Sequence, residues 1–159
     1  MEQKDRLFIM GLSGNGSETE KIWNEFEKLY YNEPFNKLDE NYYVIRFFDK
    51  VFYKEKLDES RYNIHIGFSS TNEEVKGYSK IVLPANLYVT YNFLVNKGYD
   101  NEYKKIKEWY RSYGGYYMPD KIGGKEILVE CYDNRFRGVN KEASTGEIWI
   151  PVLPILYNN

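Results

Sequence analysis

The stretch Ile127-Leu128-Val129-Glu130-Cys131-Tyr132-Asp133 lies 84 residues beyond Tyr43-Val44-Ile45-Arg46-Phe47-Phe48-Asp49. Both are apolar runs of strand length with one charged residue at the same central place and an aspartate at the end. The same offset, taken without a gap, carries Gly14 onto Gly98, Glu18 onto Glu102, Lys21 onto Lys105 and Ile22 onto Ile106. It also carries Asp49 onto Asp133, Phe52 onto Phe136, Ile64 onto Ile148 and Ile66 onto Ile150. These matches fall at turn glycines, helix positions and alternating strand positions, where a shared backbone demands them. The chain therefore reads as a tandem duplication of a β-α-β-β unit. The repeats run over about 5–69 and 85–157, joined by 70–84. A unit too short to bury its own core implies two halves packed about a pseudo-twofold axis. The fold class expected is α+β, with antiparallel sheet, two main helices and a central ligand cleft.

Within the first repeat, Arg6 to Leu12 reads as a strand ending in the turn Ser13-Gly14-Asn15-Gly16. Ser17 and Glu20 have capping-box spacing, and Ile22, Phe26, Leu29 and Tyr30 form one helical stripe up to about Tyr31. Tyr42 to Phe48 and Tyr62 to Ser69 are strands around a charged loop at 54–59, and Ile64, Ile66 and Phe68 face the core. The second repeat begins with a strand from Asn86 to Val95. A helix over about Asp100 to Tyr113 follows, with Ile106, Tyr110 and Tyr113 on its stripe. Strands at Lys125 to Tyr132 and Glu147 to Val152 complete it. Pro151 places the last strand at an edge or at its own terminus. No linker rich in Pro, Gly or Ser divides the chain, so residues 1–159 form a single domain.

A length of 159 residues suffices for one well-buried core. The net charge of −2 argues against a non-specific nucleic-acid binder, which carries a basic face. No apolar run is long enough to span a membrane, no secretory signal is legible, and a single cysteine forms no internal disulfide. A cytoplasmic location is expected. Aromatic residues make up 18% of the chain, with 17 Tyr, 9 Phe and 3 Trp. An AT-rich coding bias and an aromatic-lined pocket both account for that excess.

Glu130 is the side chain that most invites a functional reading. Strand parity puts it with Leu128 and Tyr132 on one face, and puts its counterpart Arg46 with Val44 and Phe48 on the matching face. A carboxylate held in a cleft there would attract a cation or exchange a proton. The bland alternative is an exposed strand residue, or an ion pair of Glu130 with Arg46 across the pseudo-twofold. His65 is the only histidine and reads as an ordinary surface or cleft residue. With one His and one Cys, neither a histidine-rich metal site nor a zinc finger is available, and no cofactor is implied. A Ser-His-Asp triad could use only His65, and no nucleophile elbow accompanies it. Cys131 alternates away from Glu130, toward the expected helix-packed core. Trp149 points away from Ile148 and Ile150, which makes it a cleft candidate. Gly14-Asn15-Gly16 lacks the Lys-Ser/Thr of a phosphate loop and reads as a turn.

The order and spacing of several segments resemble the gyrase-inhibitor-like domain, the effector-binding domain of AraC-type and multidrug-responsive transcription regulators. The segments are Phe8-Ile9-Met10-Gly11, Ile22-Trp23, Pro84-Ala85-Asn86-Leu87-Tyr88-Val89, Glu108-Trp109-Tyr110, Val129-Glu130-Cys131-Tyr132-Asp133 and Ile148-Trp149-Ile150-Pro151-Val152. The resemblance implies a cleft for lipophilic, often cationic, small molecules. A strand glutamate matching Glu130 would supply the countercharge, and Tyr91, Trp109, Tyr132 and Trp149 are candidate aromatic contacts. Regulator members carry a DNA-binding helix-turn-helix before this domain. Met1 lies only a few residues from the first strand, so a stand-alone ligand binder without direct nucleic-acid or membrane contact is expected. Two alternatives stay open. One is a hydrolase of strained electrophilic rings with Glu130 as general base. The other is a protein-contact role, as in gyrase inhibition, or pairing with a separate DNA-binding regulator.

Overall fold

The computed structural model describes residues 1–30, 37–48, 62–95, 104–105, 108, 117–133 and 144–154. Strands β1 (Glu2–Lys4) and β2 (Leu7–Asn15) lead into helix α1 (Thr19–Tyr30), followed by β3 (Lys37–Phe48) and β4 (Tyr62–Ser70). Strands β5 (Ser79–Leu83), β6 (Asn86–Leu94), β7 (Tyr117–Pro119), β8 (Lys121–Ile122), β9 (Lys125–Tyr132) and β10 (Thr145–Pro154) complete the described elements. All ten strands join one antiparallel sheet in the order β1-β6-β10-β9-β3-β4-β2-β5, with β7 on β10 and β8 on β9. The fold is thus α+β and dominated by antiparallel sheet. No described helix is long and apolar enough to cross a membrane.

The two central strands meet at Ile45 opposite Val129, flanked by Val44 opposite Glu130 and Arg46 opposite Leu128. Ile45 and Val129 are themselves 84 apart, so the offset is a symmetry of this pairing. It extends one strand outward on each side, where Ile45 faces His65 and Val129 faces Trp149. It does not reach the first strands. Ile64 faces Gly14, but Ile148 faces Tyr91 and not Gly98. The first strand of the second half is therefore displaced by seven residues, and the ungapped alignment fails there.

Several local expectations shift as well. The helix is entered two residues earlier than Ser17. Asn15 caps a short 3-10 turn, with its side chain accepting from the Ser17 amide at 3.0 Å and Glu18 Oε1 accepting from the Asn15 amide at 3.2 Å. This is the reciprocal capping box in a different register. Within α1, Ile22 and Phe26 are buried against the sheet, while the side chains of Leu29 and Tyr30 lie outside the described residues. The charged loop at 54–59 also lies outside them. So does most of the second expected helix, of which Lys104, Lys105 and Glu108 are described and helical. Residues 79–83, read as linker, pair with β2 and extend the sheet. Pro151 sits in an interior strand, not at an edge. It falls after the β9 pairing has ended at Trp149 and before the β7 pairing starts at Val152, where no ladder amide is needed.

Both sheet faces are apolar. Val44, Ile64, Ile66, Phe68, Leu128, Tyr132, Ile148 and Ile150 pack with Ile22 and Phe26 of α1 on one face. Ile9, Tyr43, Ile45, Tyr88, Ile127, Val129, Cys131 and Trp149 form a separate buried cluster on the other. Cys131 is buried as expected, but on the face opposite α1, because the helix packs on the Glu130 face. Gly11 and Gly67 face each other across β2 and β4. A Cβ on Gly11 would fall 1.8 Å from the Ile66 carbonyl oxygen, and one on Gly67 would fall 2.3 Å from that of Met10.

Candidate functional site

Glu130 stands in the middle of β9 on the helix-bearing face and is 1% exposed. Its neighbours along the row across the sheet are Val44 on one side and Ile148 on the other, with Tyr91 beyond Ile148. An ionised carboxylate in such a row requires partners, because the surrounding aliphatic groups cannot replace its hydration. Two are present. Arg46 Nη1 donates to Oε2, and the Tyr132 hydroxyl donates to Oε1 at 2.9 Å. Both charged side chains are 2% exposed. The pairing arises because the central register places Arg46 beside Leu128 and Glu130 beside Val44, so the two long side chains meet diagonally across the axis. The ion pair weighed against the functional reading is therefore the arrangement observed.

Aromatic rings surround this pair. Tyr42, directly opposite Tyr132, stacks on it with ring centroids 5.4 Å apart and planes 25° apart. Trp23 and Phe26 of α1 reach Tyr42 at 5.6 and 6.2 Å, and Phe93 meets Tyr132 edge-on at 6.1 Å. The Arg46 guanidinium lies 5.7 Å from the centre of the Tyr62 ring. A carboxylate, a guanidinium and four tyrosines (42, 62, 91 and 132) thus share one face. Offset aromatic packing of this kind adds about 0.5–1.5 kcal/mol per pair beyond area burial.

Of the residues singled out from sequence, Glu130, Tyr132 and Tyr91 occupy this face. Trp109 lies outside the described residues. Trp149 is buried on the opposite face, edge-on to Tyr43 at 5.6 Å. Its indole Nε1 donates to Glu147 Oε1 at 3.0 Å, and the Lys4 ammonium lies 4.0 Å from its ring centre. Trp149 does point away from Ile148 and Ile150, but that direction is also away from Glu130. Tyr42, Tyr62 and Trp23 were missed as site residues. Strand parity already placed Tyr42 with Val44 and Arg46, and that was the available signal.

His65 occupies the place on β4 that Trp149 holds on β10, and it is fully buried. Its Nδ1 meets the Ser13 hydroxyl at 2.6 Å, and its Nε2 meets the Ile9 carbonyl at 2.9 Å. A carbonyl only accepts, so Nε2 carries the proton and Nδ1 accepts from Ser13. A serine and an imidazole at this distance have nucleophile–base geometry. The imidazolium formed by proton transfer would be buried against a carbonyl, with no carboxylate among the described residues bonded to it, which suits a structural link better than catalysis. Burial drives the His65 pKa down to about 4 from 6.5. As pH falls, the unfolded chain takes up this proton first, so the stability difference is absent above about pH 6.5, grows to about pH 4 and then levels off. The loss through this window is expected to be about 3 kcal/mol. Urea unfolding of wild type and His65→Asn across it tests the assignment, and identical pH dependence in the two proteins refutes it.

Cys131, also buried, has its thiol pushed up to about 12 by desolvation and is not poised as a nucleophile. Among the described residues, no group of three or more His, Cys, Asp or Glu is placed to hold a metal ion. Among the described residues, surface cavities of about 590 and 550 Å³ are walled by residues 74–78 and by Ser13, Asn63 and Lys125 respectively.

No protein-family model matches the chain, and no curated protein matches its sequence. Solved structures do match. SAV2435 bound to tetraphenylphosphonium has a TM-score of 0.61 at 16% identity, covering 96% of this chain and 92% of that one. A candidate transcription regulation protein from Staphylococcus aureus MU50 has a TM-score of 0.58 at 15% identity, with 95% of each chain covered. EcmrR, seen in its DNA complex, has a TM-score of 0.65 at 15% identity; 97% of this chain spans 56% of EcmrR. At such identities the likeness concerns the fold alone, and it is consistent with the resemblance to the gyrase-inhibitor-like domain noted in the sequence.

Proposed function

We propose that this chain, with its gyrase-inhibitor-like fold, is a binding protein for lipophilic, aromatic small molecules. The ligand would sit on the helix-bearing face around Glu130, Tyr132, Tyr42 and Tyr91. The observation that carries this reading is a pair of opposite charges held 2% exposed among aromatic rings at the centre of the sheet. Replacing such a pair with apolar residues is often neutral or stabilising, so stability alone is a weak account of its presence. A recognition role is a better one. The drug-bound neighbour supports a small-molecule ligand, and EcmrR in complex with DNA supports kinship with regulator effector domains. On the same reading the chain is a duplicated β-α-β-β unit, its second helix covering about 100–113, and a DNA-binding regulator or gyrase is the kind of protein partner it would have. The cationic ligand suggested by sequence remains one arm of the test.

Trp23 reports on the site, because its ring touches Tyr42, which stacks on Tyr132. Titration with triphenyl and tetraphenyl compounds should quench tryptophan fluorescence saturably at micromolar concentration. Tyr132→Ala should weaken the tightest of them about tenfold. Absence of saturable binding across the panel would sink the proposal.

A further inference from the structure

Resting on that ligand-binding reading, we infer that Arg46 is a specificity-determining residue that holds the Glu130 carboxylate from within and turns the site toward uncharged aromatic ligands. Both oxygens of Glu130 are engaged, one by Arg46 and one by Tyr132. The two charges of the pair therefore neutralise each other before any ligand arrives. A cation that enters can leave the pair intact and meet the guanidinium as a like charge. Otherwise it must displace Arg46 and strand that charge in a dry environment, which is strongly unfavourable. Tyr62, 5.7 Å from the guanidinium, further favours the position Arg46 already has. An anion meets the same obstacle from Glu130. An uncharged aromatic molecule meets neither, and it finds the stacked Tyr42 and Tyr132 rings as its surface.

The test uses three probes of similar shape on the full chain. They are tetraphenylphosphonium, tetraphenylborate and triphenylphosphine oxide, titrated by calorimetry into wild type, Arg46→Gln and Glu130→Gln. Wild type should bind the neutral oxide at least about tenfold more tightly than either ion. Arg46→Gln should bind the phosphonium about 100-fold more tightly than wild type does, and Glu130→Gln should gain similarly for the borate. A wild type that prefers the phosphonium to the oxide overturns the inference, as does a folded Arg46→Gln with no gain. If circular dichroism shows that a variant has not folded, the wild-type ranking of the three probes decides. No binding of any probe by any protein refutes the ligand-binding reading itself, an outcome separate from a wrong ranking.

Discussion

Glu130→Leu alone is expected to destabilise the protein by about 3–5 kcal/mol, and Arg46→Met alone by a similar amount. Each substitution leaves the remaining charge 2% exposed in a setting that cannot hydrate it. Tyr132 offsets part of the penalty in Arg46→Met, because its hydroxyl still donates to the carboxylate that has lost its counter-ion. The double variant Arg46→Met/Glu130→Leu should recover most of the loss, since apolar side chains of similar volume suit the neighbouring Val44, Leu128 and Ile148. Urea unfolding of the four proteins gives the coupling energy directly. Additive single effects would show that the two charges do not compensate each other, and the site description would then fall. The double variant also separates stability from recognition. A stable fold that has lost ligand selectivity would assign the pair to binding.

Gly11→Ala should cost at least about 3 kcal/mol, the upper end of overpacking penalties. The added Cβ would lie 1.8 Å from the Ile66 carbonyl oxygen, a backbone atom that cannot rotate away. Relief requires β2 and β4 to separate, and β5 is bound to β2, so one flank of the sheet is displaced with it. Gly67→Ala should behave in the same way from the partner strand. Either alanine variant unfolding at the wild-type urea midpoint would show that the two strands do not approach so closely.

Much of the architecture was legible because its signals are local. Alternation in Asn63-Ile64-His65-Ile66-Gly67-Phe68 set which residues of β4 share a face. The 84-residue offset matched two apolar runs, each around one charged residue, that the structure places side by side at the centre of the sheet. The helix entry was misplaced by two residues because Asn15 and Ser17 are both competent caps, and only the chain path selects one. Strand β5 was missed because a short apolar run before a proline looks the same whether it pairs or not. The displaced first strand of the second half was hidden by the Gly14 and Gly98 match, which preserved sequence spacing while the pairing register moved.

The candidate site divides along the same line. Side-chain parity is a period-two property of an extended backbone, so sequence alone grouped Glu130 with Leu128 and Tyr132 and set Trp149 apart from Ile148. Which face receives the helix depends on how apolar surface is buried across the whole sheet, and that put Cys131 and Trp149 together on the far side. Whether Glu130 awaits a cation or already has one depends on a residue 84 positions away. Sequence offered Arg46 as its counterpart and left the ion pair as one of several outcomes. Only the pairing of β3 with β9 brings the two side chains together across the axis, where low polarity makes each charge depend on the other.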